Sequence, residues 1–332
     1  MYFNHYLGID ISKATLDAAL IIKEGEVVGQ TKVANNSHGF NDLASWIRKL
    51  KVKLSDVLVC AEHTGIYGYD LQIWLDDMQI SFAFVSALEI KRSLGIRRGK
   101  NDAVDALRIA EYAYIRRESI SLSHKPSDVI FQLRALLGER KQYVRMRAAL
   151  LARKDALHQY ESKESIYRRE EIIDKYAEYI ASVDKQMRGL MEHDDEIKRN
   201  YELISSVKGI GLVNAINTLV YTNNFTSFQT PTHYACFCGI APFVHTSGTS
   251  IKGRTAVSKM GNQQLKCELT MAARSAIIHD PWMKQYYKRK MMSKGNAPGA
   301  HGIVLNAIKF KLIVRMFSVV KSGIPYKVMA YC

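Results

Sequence analysis

The chain has 332 residues, 47% of them hydrophobic, enough to bury a substantial core across two or three domains and too many for a peptide-sized module. Its formal net charge is +15, and residues 251–332 hold 15 Lys/Arg against only Glu268 and Asp280, so a polyanion bound through a C-terminal basic surface is expected. Five cysteines in no even framework and no basic-then-apolar leader argue against a secreted protein. The best apolar stretch is broken by Lys309, Lys311 and Arg315, which argues against a membrane span; a reduced, cytoplasmic, nucleoid-associated protein is the expectation.

In chain order, 7–11, 16–22 and 27–33 read as three strands of an antiparallel meander, with Gly25 in the second turn. A helix is predicted from Ser37, with Phe40, Leu43, Ile47 and Leu50 on one face. A strand ending at Glu62, a helix near 67–78, a strand over 80–85 and helices across 86–98 and 102–117 follow. Three hairpin strands and then alternating helix and strand is the order of ribonuclease H-like folds, so residues 1–125 are assigned to an α/β domain of that kind. Pro126 punctuates the change to 126–206, whose composition is that of long helices. There Ile173, Tyr176, Ile180, Val183, Met187, Leu190, Asp194, Ile197, Tyr201 and Ile204 recur at three- and four-residue steps. They read as a coiled-coil seam in which Asp194 sets register, or as an antiparallel hairpin packed on Ile130, Leu133, Leu137 and Val144.

Residues 207–332 form the third, mainly helical and basic region. Gly209-Ile-Gly211 is either an amide turn for a phosphate or a plain helix connection. Cys236 and Cys238 have the wrong spacing for a zinc knuckle and read as buried small hydrophobes. Trp282, Tyr286 and Tyr287 interleaved with Lys284, Lys288, Arg289 and Lys290 suit stacking and phosphate contact with a single strand, or else one buried helix face. The segment 303–320 is read as a basic helix facing nucleic acid in preference to lipid.

Four carboxylates carry the chemistry. Asp10 and Glu62 sit in or at the end of apolar, β-branched runs, where an isolated negative charge is strongly unfavourable unless a cation neutralises it. Asp102 and Asp105, three residues apart, point the same way on a helix. Oxygen ligands converging from two strands and a helix suit Mg²⁺ and phosphodiester chemistry. Asp17, Asp70, Asp76 and Asp77 lie where solvent exposure is the natural reading. A phosphate loop of an actin-like ATPase is the competing reading of residues 7–12, but the Asp-x-Gly turn it requires is missing. Further on, Ser247 and Ser250 stand in a hydroxyl- and glycine-rich stretch with Lys252, Arg254 and Lys259, which reads as a surface loop or as a serine nucleophile beside cations.

Three N-terminal blocks, Leu7-Gly-Ile-Asp-Ile-Ser-Lys13, Ala61-Glu-His-Thr-Gly-Ile-Tyr67 and Lys100-Asn-Asp-Ala-Val-Asp-Ala106, resemble the Asp-Glu-Asp-Asp motifs of the insertion-sequence one-ten transposases. Gly209-Ile-Gly211, Cys238-Gly-Ile-Ala-Pro242, Ser247-Gly-Thr-Ser-Ile-Lys-Gly-Arg254 and Ser258-Lys-Met-Gly-Asn262 resemble that family's C-terminal transposase domain. Departures at Asn101, His63 and Lys208 touch no catalytic atom. The resemblance implies a RuvC-like nuclease domain and a recombinase that excises and inserts its own element, guided by an element-encoded bridge RNA that pairs with donor and target DNA. It implies that Asp10, Glu62, Asp102 and Asp105 bind Mg²⁺ and that Ser247, with Ser250 the alternative, forms a covalent phosphoserine intermediate. It also implies a homo-oligomer, dimer or tetramer, whose active site draws on two protomers. The other readings are a RuvC-like, structure-selective endonuclease using water, and a non-enzymatic nucleic-acid scaffold.

Overall fold

In a computed structural model, the described residues are 3–62, 65–93, 102–157, 160–243, 246–247, 251–252, 256–257, 261–295 and 297–328, with backbone alone for 66, 88, 92, 154–157, 243, 246–247, 251–252 and 256. They form two compact units that divide between Lys125 and Pro126.

The first unit is a five-stranded mixed sheet. β1 (His5–Ile11), β2 (Thr15–Ile22) and β3 (Val27–Ala34) form the antiparallel meander, and β4 (Val57–Glu62) and β5 (Phe82–Val85) add in parallel on the other side of β1. The strand order is β3-β2-β1-β4-β5. Alternation along β1 sends Leu7, Ile9 and Ile11 into a core with Phe40, Leu43 and Ile47 of α1 (Ser37–Lys49) and Leu71 and Leu75 of α2 (Tyr69–Asp77). The opposite face, with Tyr6 and Cys60, is covered by Ile109, Ala110 and Ala113 of α4 (Asp102–Arg116), beside Ile90 of α3 (Ala87–Ser93). The elements therefore lie where the hydrophobic periods put them, with ends shifted by one or two residues. The stretch between Ser93 and Asp102, including part of the helix predicted over 86–98, falls outside the described residues.

One irregularity matters for the site. Leu20 pairs with Gly29 and Ile21 with Val27, so Val28 is an extra residue in β3, a β-bulge.

The second unit begins with an antiparallel pair, α5 (Asp128–Leu157) and α6 (Lys163–Met191), tied by Arg140 Nε to Asp184 Oδ1 at 2.6 Å and by the rings of Tyr143, Tyr176 and Tyr179. The heptad-like seam is not one continuous helix. Asp194 is the N-cap of α7 (Asp195–Ser205), its carboxylate accepting from the amides of Glu196 and Ile197, so it ends one helical run and starts another. Val183, Met187, Ile197 and Ile204 instead join Ile130, Leu133 and Leu137 in one core with α8 (Leu212–Thr222), α9 (Pro231–Phe237), α10 (Gln263–His279), α11 (Pro281–Lys294) and α12 (Ala300–Ser322). Gly209 is at φ +98°, and a Cβ there would lie 2.6 Å from the Ala272 carbonyl, so this glycine serves close packing on α10. The 303–320 segment lies within α12, whose Val304, Ile308, Leu312, Ile313 and Met316 are fully buried, which makes it a core helix and not a surface amphipath. Among the described residues no helix is long and apolar enough to cross a membrane.

Candidate active site and basic surface

The carboxylates gather on the α4 face of the first sheet because of three registers. Ile9 pairs with Ala61 between parallel β1 and β4, so the residues that follow, Asp10 and Glu62, are neighbours at the strand ends. Asp10 is paired with Asp17 across the β1–β2 hairpin, and Asp17 with Lys32 on β3. Gly8, two residues before Asp10 and on the same face, lets α4 lie directly on β1: a Cβ there would be 2.1 Å from the Ala106 carbonyl oxygen and 2.3 Å from the Ala110 nitrogen. Asp102 and Asp105 occupy the first turn of that helix, just before Ala106, where the amide dipoles favour negative charge. Gln30 of β3 steadies the same turn by donating to the Ala103 carbonyl at 3.4 Å.

These groups share one field. Burial raises the Asp10 carboxyl above its ordinary range, and the negative charges of Asp105, Asp102 and Asp17 raise it further. Asp17 corrects the expectation of solvent exposure: it is buried and ion-paired to Lys32 at 2.9 Å. The same ammonium lies 3.9 Å from Asp102, while Asp105 pairs with Arg108 of its own helix at 3.0 Å. Asp17, Lys32 and Gly8 are thus members of the site that residue-type reasoning passed over. The pairing of Asp10 with Asp17 is recoverable from the four-residue turn between the first two strands.

Hard oxygen donors crowded until one resists ionisation suit a divalent cation such as Mg²⁺. The spacing is open, however. Among the described residues no three His, Cys, Asp or Glu side chains stand close enough to hold a metal ion together, and Lys32 and Arg108 engage two of the four acids named from sequence. Cys238 is buried with its thiol pushed up to about 12 and Cys236 is partly buried; burial of that kind suits small hydrophobes better than zinc ligands.

In the second unit the hydroxyl-rich segment springs from a narrow base. Gly239, at φ +64°, meets Gly261 so closely that a Cβ on Gly261 would be 2.2 Å from the Gly239 Cα, and the Asn262 amide donates to the Phe237 carbonyl. Above that base β6 (Pro242–Phe243) pairs with β9 (Ala256–Val257), and β7 (Thr246–Ser247) with β8 (Ile251–Lys252). Ser247 therefore ends a short ladder, opposite Ile251, with Lys252 opposite Thr246. Ser250, Arg254 and Lys259 lie outside the described residues.

Lys284, Lys288, Arg289 and Lys290 stand exposed on α11. Two of the three aromatic rings beside them, Trp282 and Tyr286, are already covered on a face. Trp282 and Tyr286 stack on each other at 7°, Lys311 Nζ sits 4.7 Å from the Tyr286 centroid, and Arg315 Cζ sits 4.8 Å from that of Trp282. Arg315 is fixed by fully buried Asp280, at 2.6 Å, which also accepts from Tyr326. Burial first, and then the charges of Arg315, Lys290 and Arg289, hold the Lys311 amine below its ordinary range. Lys288→Gln with Lys290→Gln is expected to weaken nucleic-acid binding evenly across sequences and to lower the log–log salt slope by about two, roughly one per phosphate contact, measured by fluorescence anisotropy from 50 to 200 mM salt. An unchanged slope would remove α11 from the interface.

Comparison with known proteins agrees with both halves. A transposase family model of the DEDD, IS110 type matches residues 7–160, and one described as transposase IS116/IS110/IS902 family matches residues 201–288. The pilin gene-inverting proteins of Moraxella bovis and Moraxella lacunata are each 28% identical over 324 residues, 97% of this chain and of theirs. The insertion element IS110 uncharacterized 43.6 kDa protein of Streptomyces coelicolor is 29% identical over 159 residues, 47% of this chain and 38% of that protein. An α/β unit that bears the carboxylates, joined to a basic helical unit, is here the make-up of a DNA transposase/recombinase, an enzyme that binds DNA. The chain belongs to the IS110 transposase family, whose DEDD domain is of a kind that typically depends on a divalent metal.

Proposed function

We propose that the protein is an RNA-guided, Mg²⁺-dependent serine recombinase that excises and inserts an insertion-sequence element. Its first unit is proposed to be a ribonuclease H-like, specifically RuvC-like, domain. The observation that supports the reading is that Asp10 shares one electrostatic field with Asp102 and Asp105 and is the strand-end neighbour of Glu62, in strand order β3-β2-β1-β4-β5. A divalent ion bound by these carboxylates would neutralise charge on a phosphodiester. The chain's own groups do the rest. Ser247, at the end of its ladder, forms a bond from its oxygen to phosphorus while a strand hydroxyl leaves with a proton; the incoming strand's hydroxyl later reverses the exchange, so the phosphodiester is restored without ATP. Lys252, Arg254 and Lys259 steady the negative charge that builds on the phosphoryl oxygens. Lys284, Lys288, Arg289 and Lys290 hold donor DNA, target DNA or the element's bridge RNA by phosphate, and sequence choice resides in RNA pairing. The working form is a homo-oligomer.

The name of the Moraxella relatives, gene-inverting, describes a reaction in which cut strands must be rejoined, and this supports conservation of bond energy in a protein–DNA ester. End-labelled DNA carrying the element ends, incubated with protein, Mg²⁺ and the element RNA, should give a protease-sensitive adduct on a denaturing gel. Ser247→Ala should abolish the adduct and recombination, and Ser250→Ala should retain both. Strand breakage that persists in Ser247→Ala without any adduct would instead identify an endonuclease using water.

A further inference from the structure

Among the described residues, Lys32 reaches the carboxylate face from outside α4. It projects from β3, the edge strand of the sheet, and an exposed lysine on an edge is ordinarily a guard against strand addition. Here it leans inward. Its ammonium is 2.9 Å from Asp17 and 3.9 Å from Asp102, and its pKa is raised first by the hydrogen bond to Asp17, with the charges of Asp102 and Asp10 adding to the effect. Arg108 differs in kind, because its bond to Asp105 stays within one helix turn. Asp17, the direct cross-strand neighbour of Asp10, anchors the ammonium from below. The amine consequently lies among the charges a divalent ion would have to neutralise, and the carboxylates, as noted, do not close on a common point.

We propose that Lys32, held by Asp17, is a built-in competitor for the divalent-cation position, lowering the metal affinity of the carboxylate cluster and setting the concentration at which the site loads. The inference rests on the metal reading given above. Two like charges exclude each other, so a divalent ion enters only as the ammonium swings off Asp102, a movement its exposed, flexible stem permits. Lys32 is on this account a positioning residue that touches neither substrate nor the reacting atoms.

The test is Mn²⁺ titrated calorimetrically into the full-length, nucleic-acid-free protein. Lys32→Met and Lys32→Gln are expected to bind Mn²⁺ roughly threefold to thirtyfold more tightly than wild type, the effect of removing one unit charge a few ångström from a divalent ion in partly screened surroundings. Lys32→Arg, which keeps the charge, should bind as wild type does. Asp10→Asn should weaken binding in every background, which ties the signal to this cluster. Unchanged or weaker binding in the Met and Gln variants, with Asp10→Asn still weakening it, would overturn the competitor role and leave the metal reading standing. Binding that is absent from wild type and variants alike, or indifferent to Asp10→Asn, would overturn both.

Discussion

Gly8→Ala will lose both fold stability and catalysis, each by a large margin. The added methyl would meet the Ala106 carbonyl at 2.1 Å and the Ala110 nitrogen at 2.3 Å, and both are backbone atoms of α4 that no rotamer change can move aside. The helix must lift off β1. Overpacking of this kind destabilises by roughly 1–3 kcal/mol, and helix α4 covers the Tyr6–Cys60 face of the core, so the upper end is expected. Lifting α4 also carries Asp102 and Asp105 away from Asp10, and a displacement of about 1 Å in a reacting constellation lowers rate by about a hundredfold. Circular-dichroism melting and the rate of strand cleavage measure the two effects on one preparation. A variant as stable and as active as wild type would mean that the helix does not rest on that glycine.

Asp10→Asn should separate the two quantities. Cleavage and recombination are expected to fall by a thousandfold or more, since the amide cannot serve as an anionic ligand, while the melting temperature at neutral pH rises. The gain follows from the sign of the carboxyl's shift. Burial, then Asp105, Asp102 and Asp17, raise its pKa in the folded state, so the native protein holds a proton there that the unfolded chain has already released. Wild-type stability therefore declines as pH climbs from the ordinary aspartate range through the raised folded value, and the deficit persists above it. The asparagine variant should lack that decline, and Mg²⁺ should raise the melting point of wild type but not of the variant. A lower melting temperature in Asp10→Asn across that window would show that the charge is not a burden on the fold.

Much of this architecture can be read from residue order because the first 125 residues declare their periods openly. Leu7, Ile9 and Ile11 alternate with Tyr6, Gly8 and Asp10, and Phe40, Leu43 and Ile47 recur at helical spacing; local pattern and burial agree. Asp10 and Glu62 stand out for the same reason, since charge at the end of an apolar strand conflicts with its surroundings, whereas Asp102 and Asp105 stand out by their three-residue spacing on a helix. The seam from Ile173 to Ile204 is different. Its three- and four-residue spacing continues across a break between helices, and periodicity alone cannot distinguish one helix from two whose apolar faces join the same core. Asp194 carried the clue, because an aspartate followed by Asp-Glu before an apolar residue is a helix-start signature. The aromatic run from Trp282 to Tyr287 is also ambiguous in the sequence. The α12 residues Lys311 and Arg315, well removed along the chain, add cations to the faces of two of the rings, Tyr286 and Trp282. Gly8 owes its importance to contacts with α4, and Asp17 to its ion pair with Lys32, that no short window contains.

The unpaired residue at Val28 gives the sheet a simple means of adjustment. Were Val28 taken into the ladder, β3 would shift by one position against β2, Thr31 would stand opposite Asp17, and the lysine would emerge among Leu16 and Phe40 on the far side. Loss of Val28 alone would instead keep Lys32 opposite Asp17, so the spare residue lets this hairpin shorten by one amino acid without changing the charge that faces the carboxylate edge.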